Sequence, residues 1–151
     1  MILAIIAFVV IVLDQFTKYL IKTTMSPHES IPVIENIFHI TFVRNQGAAF
    51  GIFQGQTAFL IAVTVIIIIL LIGVYWKLAR QNNILTIGLA LQLGGAVGNL
   101  ADRIRFSYVV DFFDFRVWPV FNIADIAIVI GVIIVAWQIL VWPEGPKEKV
   151  G

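Results

Sequence analysis

The sequence predicts an all-α membrane protein, a bundle of four transmembrane helices with a small β-rich subdomain between the first and second spans. Of its 151 residues, 60% are hydrophobic and 13% are charged. Soluble domains are about 45–50% apolar and about 25% charged, so a core of this size cannot absorb the apolar excess. Four separate apolar segments approach the roughly 20 residues needed to cross a bilayer.

The predicted spans are residues 3–22, 57–76, 84–101 and 120–142. The first span has polar residues embedded near its end, and it lacks the basic start and small-residue cleavage site of a signal peptide. We therefore expect it to be retained. The third span is rich in Gly and Ala, and its Gly94-x-x-x-Gly98 spacing is typical of close helix packing. The whole chain, residues 1–151, is predicted to form one membrane-embedded domain.

The segment of about residues 23–56 is the only long stretch outside the spans, and we predict that it is β-rich. It begins with turn-forming residues at Ser26 and Pro27. Farther on, Phe38, Ile40 and Phe42 alternate with other side chains at the period of two expected for a half-buried strand. A Gly-containing loop at residues 45–51 follows. The aromatic residues between positions 103 and 119 are typical of a membrane interface.

The distribution of basic residues does not settle the orientation. Four spans bring both ends of the chain to one side, with four basic residues there and six on the other side. The positive-inside rule applied to this count favours termini outside the cell. However, several of the six lie beside acidic residues and can belong to a site. The four are Lys77, Arg80, Lys147 and Lys149, and the six are Lys18, Lys22, Arg44, Arg103, Arg105 and Arg116.

Several kinds of chemistry are disfavoured by composition. The net charge is +1 without a basic block, so nucleic acid is not an expected partner. The absence of Cys excludes disulfides, thiolate metal sites and cysteine nucleophiles. No Ser lies in G-x-S-x-G, and His28 and His39 lack metal-ligand spacing. We therefore expect no metal and no cofactor.

A charged residue within a span is expected to have a structural or functional role, because its insertion into the membrane costs roughly 2.5–3.5 kcal/mol. Asp14 and Lys18 are spaced i, i+4 and can pair on one helix face. This pair is either a structural anchor for the first span or a direct participant in a site. The spacing does not decide between these roles.

Asp102 and Asp125 are the predicted catalytic pair. Asp102 closes the third span and Asp125 opens the fourth, so both lie at one membrane face, and each follows an Asn at i−3, namely Asn99 and Asn122. Two close carboxylates in a low dielectric share one proton, which is the arrangement of aspartic proteases. Spacing alone leaves alternatives open: helix caps, a proton or cation relay in a small transporter or channel subunit, or a structural membrane scaffold. A relay favours charges at graded depth, whereas the second span has none.

Five motifs in order resemble the lipoprotein signal peptidases (signal peptidase II). Residues 14–18 read D-Q-F-T-K, residues 45–50 read N-Q-G-A-A-F, and residues 94–103 read G-G-A-V-G-N-L-A-D-R. Residues 110–112 read V-D-F and residues 121–125 read F-N-I-A-D. Each motif is weak alone, but five in order on a four-span chain form a specific pattern.

The resemblance implies an aspartic endopeptidase that removes the signal peptide of diacylglyceryl-modified prolipoproteins by cleaving before the lipidated cysteine. It implies a bacterial inner membrane location, cytoplasmic termini, an extracytoplasmic β-rich subdomain and a site at the outer face. Prolipoproteins and membrane lipid are the expected partners, the Gly-rich third span is expected to offer a wall for the acyl chains, and the enzyme is expected to be monomeric. Asp102 and Asp125 match the catalytic pair. The matching positions for substrate binding or site support are Asn45, Asn99, Arg103, Asn122, Asp14, Lys18, Gly47 and Asp111.

Overall fold

Four long helices dominate the computed structural model, which describes residues 1–47 and 53–141. They are α1 (Ile2–Thr24), α2 (Thr57–Val74, extended by a π-helical turn over Tyr75–Ala79), α3 (Asn83–Phe106) and α4 (Ile123–Val141). All four, counting α2 with its π-helical turn, are long and apolar enough to cross a membrane. The predicted fold class is confirmed.

The ends of α3 and α4 differ from the predicted span limits in a way that affects the site. α3 continues to Phe106, five residues beyond residue 101, and ends where Ser107 adopts a left-handed conformation with φ of 63°. Asp102 therefore lies within the last turns of α3 instead of closing it. α4 begins at Ile123, three residues after residue 120, and Asn122 caps its first turn.

Small residues let α3 pack closely between α1 and α4. A Cβ added at Gly94 would lie 2.7 Å from the Cβ of Val10 in α1, and one added at Gly95 would overlap the carbonyl oxygen of Ala124 in α4. The expectation that the Gly-rich third span offers an open wall to acyl chains is wrong at these glycines, because neighbouring helices already fill the space beside them.

The extramembrane segments form one three-stranded antiparallel sheet in the order β1 (Ser30–Ile34), β2 (Phe38–Asn45), β3 (Val109–Asp114). Two strands come from the predicted β-rich segment. The third comes from the connection between α3 and α4, whose aromatic residues predicted an interfacial layer. In the β2–β3 register, Val43 lies opposite Asp111 and Asn45 lies opposite Val109.

A small apolar core holds the sheet against the end of the helix bundle. It consists of the buried side chains of Met25, Phe42, Val110 and Phe112. Phe42 comes from the alternating pattern that predicted β2. The backbone N–H of Val110 donates a hydrogen bond of 3.1 Å to Asp102 Oδ2 of α3. This packing sets β3 beside the last turns of α3 and the first turn of α4.

Candidate active site

A cavity of about 270 Å³ lies where β3, the end of α3 and the start of α4 meet. One side is apolar and belongs mainly to α4 and the chain leading into it. The other side is polar and carries two carboxylates. The apolar lining is Val109, Trp118, Pro119, Val120, Phe121, Ile128 and Val129, and the polar lining is Asn45, Asn99, Arg103, Asp111 and Asp125.

Asp125 is held by the first turn of its own helix. Its backbone N–H donates to Asn122 Oδ1 at 3.0 Å, and the N–H of Asn122 donates to Asp125 Oδ2 at 3.2 Å. This reciprocal pair is a capping box, which satisfies free N–H groups at a helix start. Asn99 Nδ2 of α3 donates to the other carboxylate oxygen at 2.8 Å. The helix-cap alternative therefore describes a real part of the role of this Asn-x-x-Asp unit.

Asp111 reaches the same cavity from β3 and is only 2% exposed. Asn45 Nδ2 donates to its Oδ2 at 2.9 Å, and Asn122 Nδ2 donates to its Oδ1 at 2.6 Å. Burial and then the charge of Asp125 raise the pKa of Asp111 to about 7, despite those donors and Lys18, which act in the opposite direction. A carboxyl group with such a pKa exchanges its proton near neutral pH.

Asn122 joins the two carboxylates. Its amide nitrogen donates to Asp111, while its backbone N–H and its amide oxygen pair with Asp125. The same nitrogen lies 3.2 Å from Asn99 Oδ1. Because Asn122 is fully buried, water does not compete for these bonds, and the two carboxylates keep a fixed relation to each other.

Asp102 occupies a different environment from the one the sequence predicted. Among the described residues it does not line the cavity. It is 1% exposed and lies 3.2 Å from Lys18 Nζ. Gln15 Nε2 donates to its Oδ1 at 3.1 Å, and the Val110 N–H donates to its Oδ2. Both oxygens are thus occupied by partners that tie α3 to α1 and to β3.

Asp14, Lys18 and Asp102 form a buried ion cluster behind the cavity. Lys18 Nζ lies 3.0 Å from Asp14 Oδ2, and both side chains are almost wholly buried. Asp14 Oδ1 accepts a hydrogen bond of 3.1 Å from the backbone N–H of Ala124, so the cluster also fixes the start of α4. A Cβ at Gly98 would lie 2.5 Å from Asp14 Oδ2, and only glycine leaves room for this carboxylate.

The cluster and the cavity are connected through Asn99. Lys18 Nζ donates to Asn99 Oδ1 at 2.8 Å, and Asn99 Nδ2 in turn donates to Asp125. Residues 99 and 102 lie on one face of α3, as their i, i+3 spacing predicted. That face is turned toward Lys18, and only Asn99 also reaches Asp125.

Arg103 and Asn45 line the cavity, and both are hydrogen-bonded to Gly47. Arg103 Nη2 donates to the carbonyl oxygen of Gly47 at 3.3 Å, and the Gly47 N–H donates to Asn45 Oδ1 at 2.9 Å. These contacts aim the Asn45 amide nitrogen at Asp111. The remainder of the motif that begins at Asn45, with residues 48–50, lies outside the described residues.

Two contributions were missed by sequence reasoning. Gln15 donates hydrogen bonds to Asp14, Asp102 and the Gly98 carbonyl oxygen. The sequence signal for these contacts was the position of a polar residue inside a span. Asp111 was assigned to site support, whereas it provides the second carboxylate of the cavity. The available signal was an acidic residue between two pairs of apolar residues at positions 109–113, because a buried carboxylate needs partners.

Solved structures identify the class of protein. Two bacterial membrane enzymes determined by the in meso method, at 2.3 Å and 1.9 Å resolution, share this fold with TM-scores of 0.89 and 0.84. Both are 40% identical in sequence to this chain. The first alignment covers 97% of this chain and 92% of the other, and the second covers 91% and 92%. The protein has the fold of a bacterial membrane enzyme.

Sequence comparison identifies the family. The profile described as signal peptidase (SPase) II matches residues 6–141. The lipoprotein signal peptidase of Moorella thermoacetica is 50% identical over 143 residues, 95% of each chain. That of Halothermothrix orenii is 47% identical over 150 residues, 97% of each chain. The chain belongs to the signal peptidase II family, which is a family of proteases, and the resemblance seen in its motifs is confirmed.

Proposed function

We propose that this protein is an intramembrane aspartic endopeptidase that removes the signal peptide from diacylglyceryl-modified prolipoproteins by cleaving before the lipidated cysteine. Its relatives are lipoprotein signal peptidases that align over nearly the whole chain. The observation that carries the chemical part of the proposal is the pairing of Asp111 and Asp125. Both line one cavity, and Asn122 bridges them.

The catalytic pair that the geometry favours is Asp111 with Asp125, in place of Asp102 with Asp125. Asp102 forms an ion pair with Lys18, which it shares with Asp14, and uses both oxygens for structural contacts. A carboxylate so engaged cannot approach a peptide bond without breaking the cluster. Asp111, by contrast, faces the cavity and has a pKa near neutrality.

The reaction follows from two carboxyl groups that share one proton. The ionised carboxylate takes a proton from water, and the hydroxide attacks the scissile carbonyl carbon. The protonated carboxyl group gives its proton to the carbonyl oxygen, which forms a tetrahedral diol. The carboxyl group that took the proton from water then gives it to the leaving amine nitrogen, and the C–N bond breaks. A hydroxyl proton of the diol passes to the other carboxylate, so the pair returns to its starting arrangement with one proton.

The cavity walls suit a lipidated peptide. The apolar lining from Phe121, Ile128 and Val129 continues onto α4, whose outer face is exposed along its length. Acyl chains can therefore remain against an apolar helix surface while the peptide reaches the carboxylates. The proposed enzyme is a monomer, since both carboxylates and the Asn122 bridge between them come from the same chain.

For the membrane, we propose an inner-membrane protein with cytoplasmic termini and an outward-facing site. The raw count of basic residues opposes this orientation, but two of the six residues on the site side do not act as free surface charges. Lys18 is buried between carboxylates, and Arg103 lines the cavity. Without these two residues, four basic residues remain on each side of the membrane.

Purified protein in detergent, supplied with a diacylglyceryl-modified prolipoprotein, tests the proposal. Wild type should cleave before the lipidated cysteine, as mass spectrometry of the products will show. Asp111→Asn and Asp125→Asn should each lower turnover by at least about a thousandfold, within the range for general acid–base groups. Asp102→Asn should retain measurable turnover, because Asn can still accept the hydrogen bond from the Val110 N–H. Its thermal stability should fall, because the ion pair with Lys18 is lost.

Three outcomes would contradict parts of the proposal. A wild-type enzyme that leaves the lipidated substrate intact would remove the assigned function. Turnover in folded Asp111→Asn together with a folded, inactive Asp102→Asn would reinstate Asp102 as the partner of Asp125. Cleavage at another bond would refute the assigned cleavage position. Thermal unfolding of each variant establishes that it is folded.

A further inference from the structure

We infer that Lys18 is a positioning residue that acts through Asn99 to hold Asp125 as the ionised member of the carboxylate pair. Asp125 is then the group that takes the proton from water, and Asp111 is the group that begins protonated. This inference rests on the proposed function and adds the direction of proton transfer to it.

The first step of the argument is the orientation of the Asn99 amide. Lys18 Nζ has only hydrogens to offer, so the atom of Asn99 that lies 2.8 Å away must be the oxygen. Asn122 Nδ2 approaches the same oxygen at 3.2 Å. With its oxygen engaged by two donors, Asn99 must turn its NH₂ group toward Asp125.

The second step concerns the hydrogen bonds that Asp125 receives. Oδ1 accepts from the Asn99 NH₂ at 2.8 Å, and Oδ2 accepts from the backbone N–H of Asn122 at 3.2 Å. Neither donor can accept a proton in return, and both therefore favour a carboxylate that carries none. The positive charge of Lys18 polarises the Asn99 amide and strengthens its bond to Asp125.

The third step is the position of Asp125 in α4. It lies in the first turn of a 19-residue helix, where the helix dipole favours a negative charge. Asp111 also accepts two hydrogen bonds, from the amides of Asn45 and Asn122, but it lies on a strand and has neither a helix dipole nor a donor that is itself bound to Lys18. The two carboxyl groups are thus unequal before a substrate arrives.

Other charged groups surround Asp125 and do not remove this inequality. Asp14 and Lys18 belong to α1, Asp102 and Arg103 to α3, and Asp111 to β3. Asp14 and Asp102 each lie within 3.2 Å of Lys18 Nζ, whose single positive charge offsets about half of their combined negative charge. Arg103 interacts electrostatically with Asp125, Asp111 and Asp102. Among the described cations, Lys18 is the one that is connected to Asp125 through a single hydrogen-bonded side chain, that of Asn99.

The most direct test breaks the connection and leaves the ion cluster in place. Asn99→Leu keeps a side chain that branches at Cγ, although a larger one, and leaves Asp14 and Asp102 as the partners of Lys18. In the pH profile of turnover on the lipidated prolipoprotein, the acidic limb should move upward by about one pH unit, since Asp125 loses one hydrogen bond to its charged form. A purely structural role for Asn99 would lower stability without moving that limb.

A second variant tests Lys18 itself. Lys18→Met alone leaves two buried carboxylates without a cation and can fail to fold. The double variant Lys18→Met with Asp14→Asn removes one positive and one negative charge, so the net charge of the cluster stays the same. It should shift the acidic limb upward as Asn99→Leu does. The matched control is Asp14→Asn, in which Lys18 still holds Asn99 and the limb should not rise.

A spectroscopic readout covers variants that have lost turnover. In an Asp111→Asn background, Asp125 is the remaining carboxyl group of the cavity among the described residues. Its protonated form has an infrared carbonyl band. The band is assigned by subtracting the spectrum of the double variant Asp111→Asn, Asp125→Asn. Adding Asn99→Leu should raise the titration midpoint of this band by about one pH unit, in line with the loss of one charged hydrogen bond.

The outcomes separate this inference from the proposed function. Wild-type cleavage with an unmoved acidic limb and an unmoved infrared midpoint in Asn99→Leu would overturn the role of Lys18 and Asn99 alone. An equal shift in Asp14→Asn and in the double variant would do the same. A wild type that fails to cleave the lipidated substrate would overturn the proposed function, and the inference would fall with it.

Discussion

Asn122 and Asp125 exchange two hydrogen bonds across the first turn of α4, and the same Asn122 side chain donates to Asp111 at 2.6 Å. One residue therefore starts the last described helix and joins both carboxylates of the cavity. Its two tasks use different atoms: the amide oxygen caps the helix, whereas the amide nitrogen reaches Asp111. Substitutions can separate them.

We expect Asn122→Ala to lose both tasks and Asn122→Ser to lose only one. The alanine variant should lose about 1 kcal/mol from the missing cap and a further amount of about 1–3 kcal/mol from buried groups left without partners. Serine can restore the cap but is too short to reach Asp111, so stability should partly return while cleavage stays low. Chemical unfolding and cleavage assays measure the two effects. Equal recovery of both would refute the separation.

The raised pKa of Asp111 predicts a dependence of stability on pH. The group ionises near pH 3.8 when unfolded and near pH 7 when folded. Between these values the folded protein binds more protons than the unfolded chain, so its stability falls as pH rises through that window and then levels off. Asp111→Asn lacks this penalty. Its stability relative to wild type should increase by more than about 1 kcal/mol from about pH 5 to about pH 8. A difference independent of pH would contradict the assignment.

The packing of α3 against α4 predicts contrasting effects of two glycine substitutions. At Gly95, an added methyl group overlaps the carbonyl oxygen of Ala124. Gly95→Ala should therefore cost about 1–3 kcal/mol and displace α4, which carries Asp125, so cleavage should fall. At Gly73, an added Cβ meets nothing within 4 Å. Gly73→Ala should be neutral or slightly stabilising. Melting temperatures in detergent provide the comparison, and equal losses at both positions would refute it.

The proposed orientation is testable because the chain has no Cys of its own. Ser107 is exposed at the end of α3 near the sheet, and Gln81 is exposed in the turn between α2 and α3 at the opposite end of the bundle. In intact cells, a membrane-impermeant maleimide should label Ser107→Cys but not Gln81→Cys. Gln81→Cys should react only after permeabilisation. The reverse pattern would place the termini outside.

Chelators should not affect cleavage. In the proposed reaction the two carboxyl groups move the protons themselves. Within residues 1–47 and 53–141, no group of three or more His, Asp or Glu side chains is arranged to hold a metal ion. Turnover should be the same with and without EDTA. Loss of activity that a divalent cation restores would count against the carboxylate mechanism.

Hydropathy and spacing predict much of the fold but less of the pairing of residues. The four spans follow from apolar length, and β2 follows from the alternation around Phe42, because both are local patterns. The spacing of Asn99 and Asp102 correctly places them on one face of α3. It contains no information on which neighbour that face meets, so it could not distinguish a partner in α4 from Lys18 in α1.

The position of Asp111 depends on long-range pairing. It lies on a strand whose partner, β2, precedes two helices in the sequence, and the bond between Asn45 and Asp111 joins residues 66 positions apart. A short apolar run such as residues 109–113 is equally compatible with an interfacial loop. The register of β2 with β3, which brings Asp111 beside the start of α4, is therefore available only from the folded structure.

The split origin of the sheet has a consequence for biosynthesis. β2 is made before α2, but its partner β3 emerges only after α3, and Asp125 follows on α4. A nascent chain that ends before Asn122 contains Asp111 but lacks both Asn122 and the acidic partner Asp125. The proposed acid–base pair is thus completed only when the start of α4 has been made, and a shorter nascent chain lacks one of its two members.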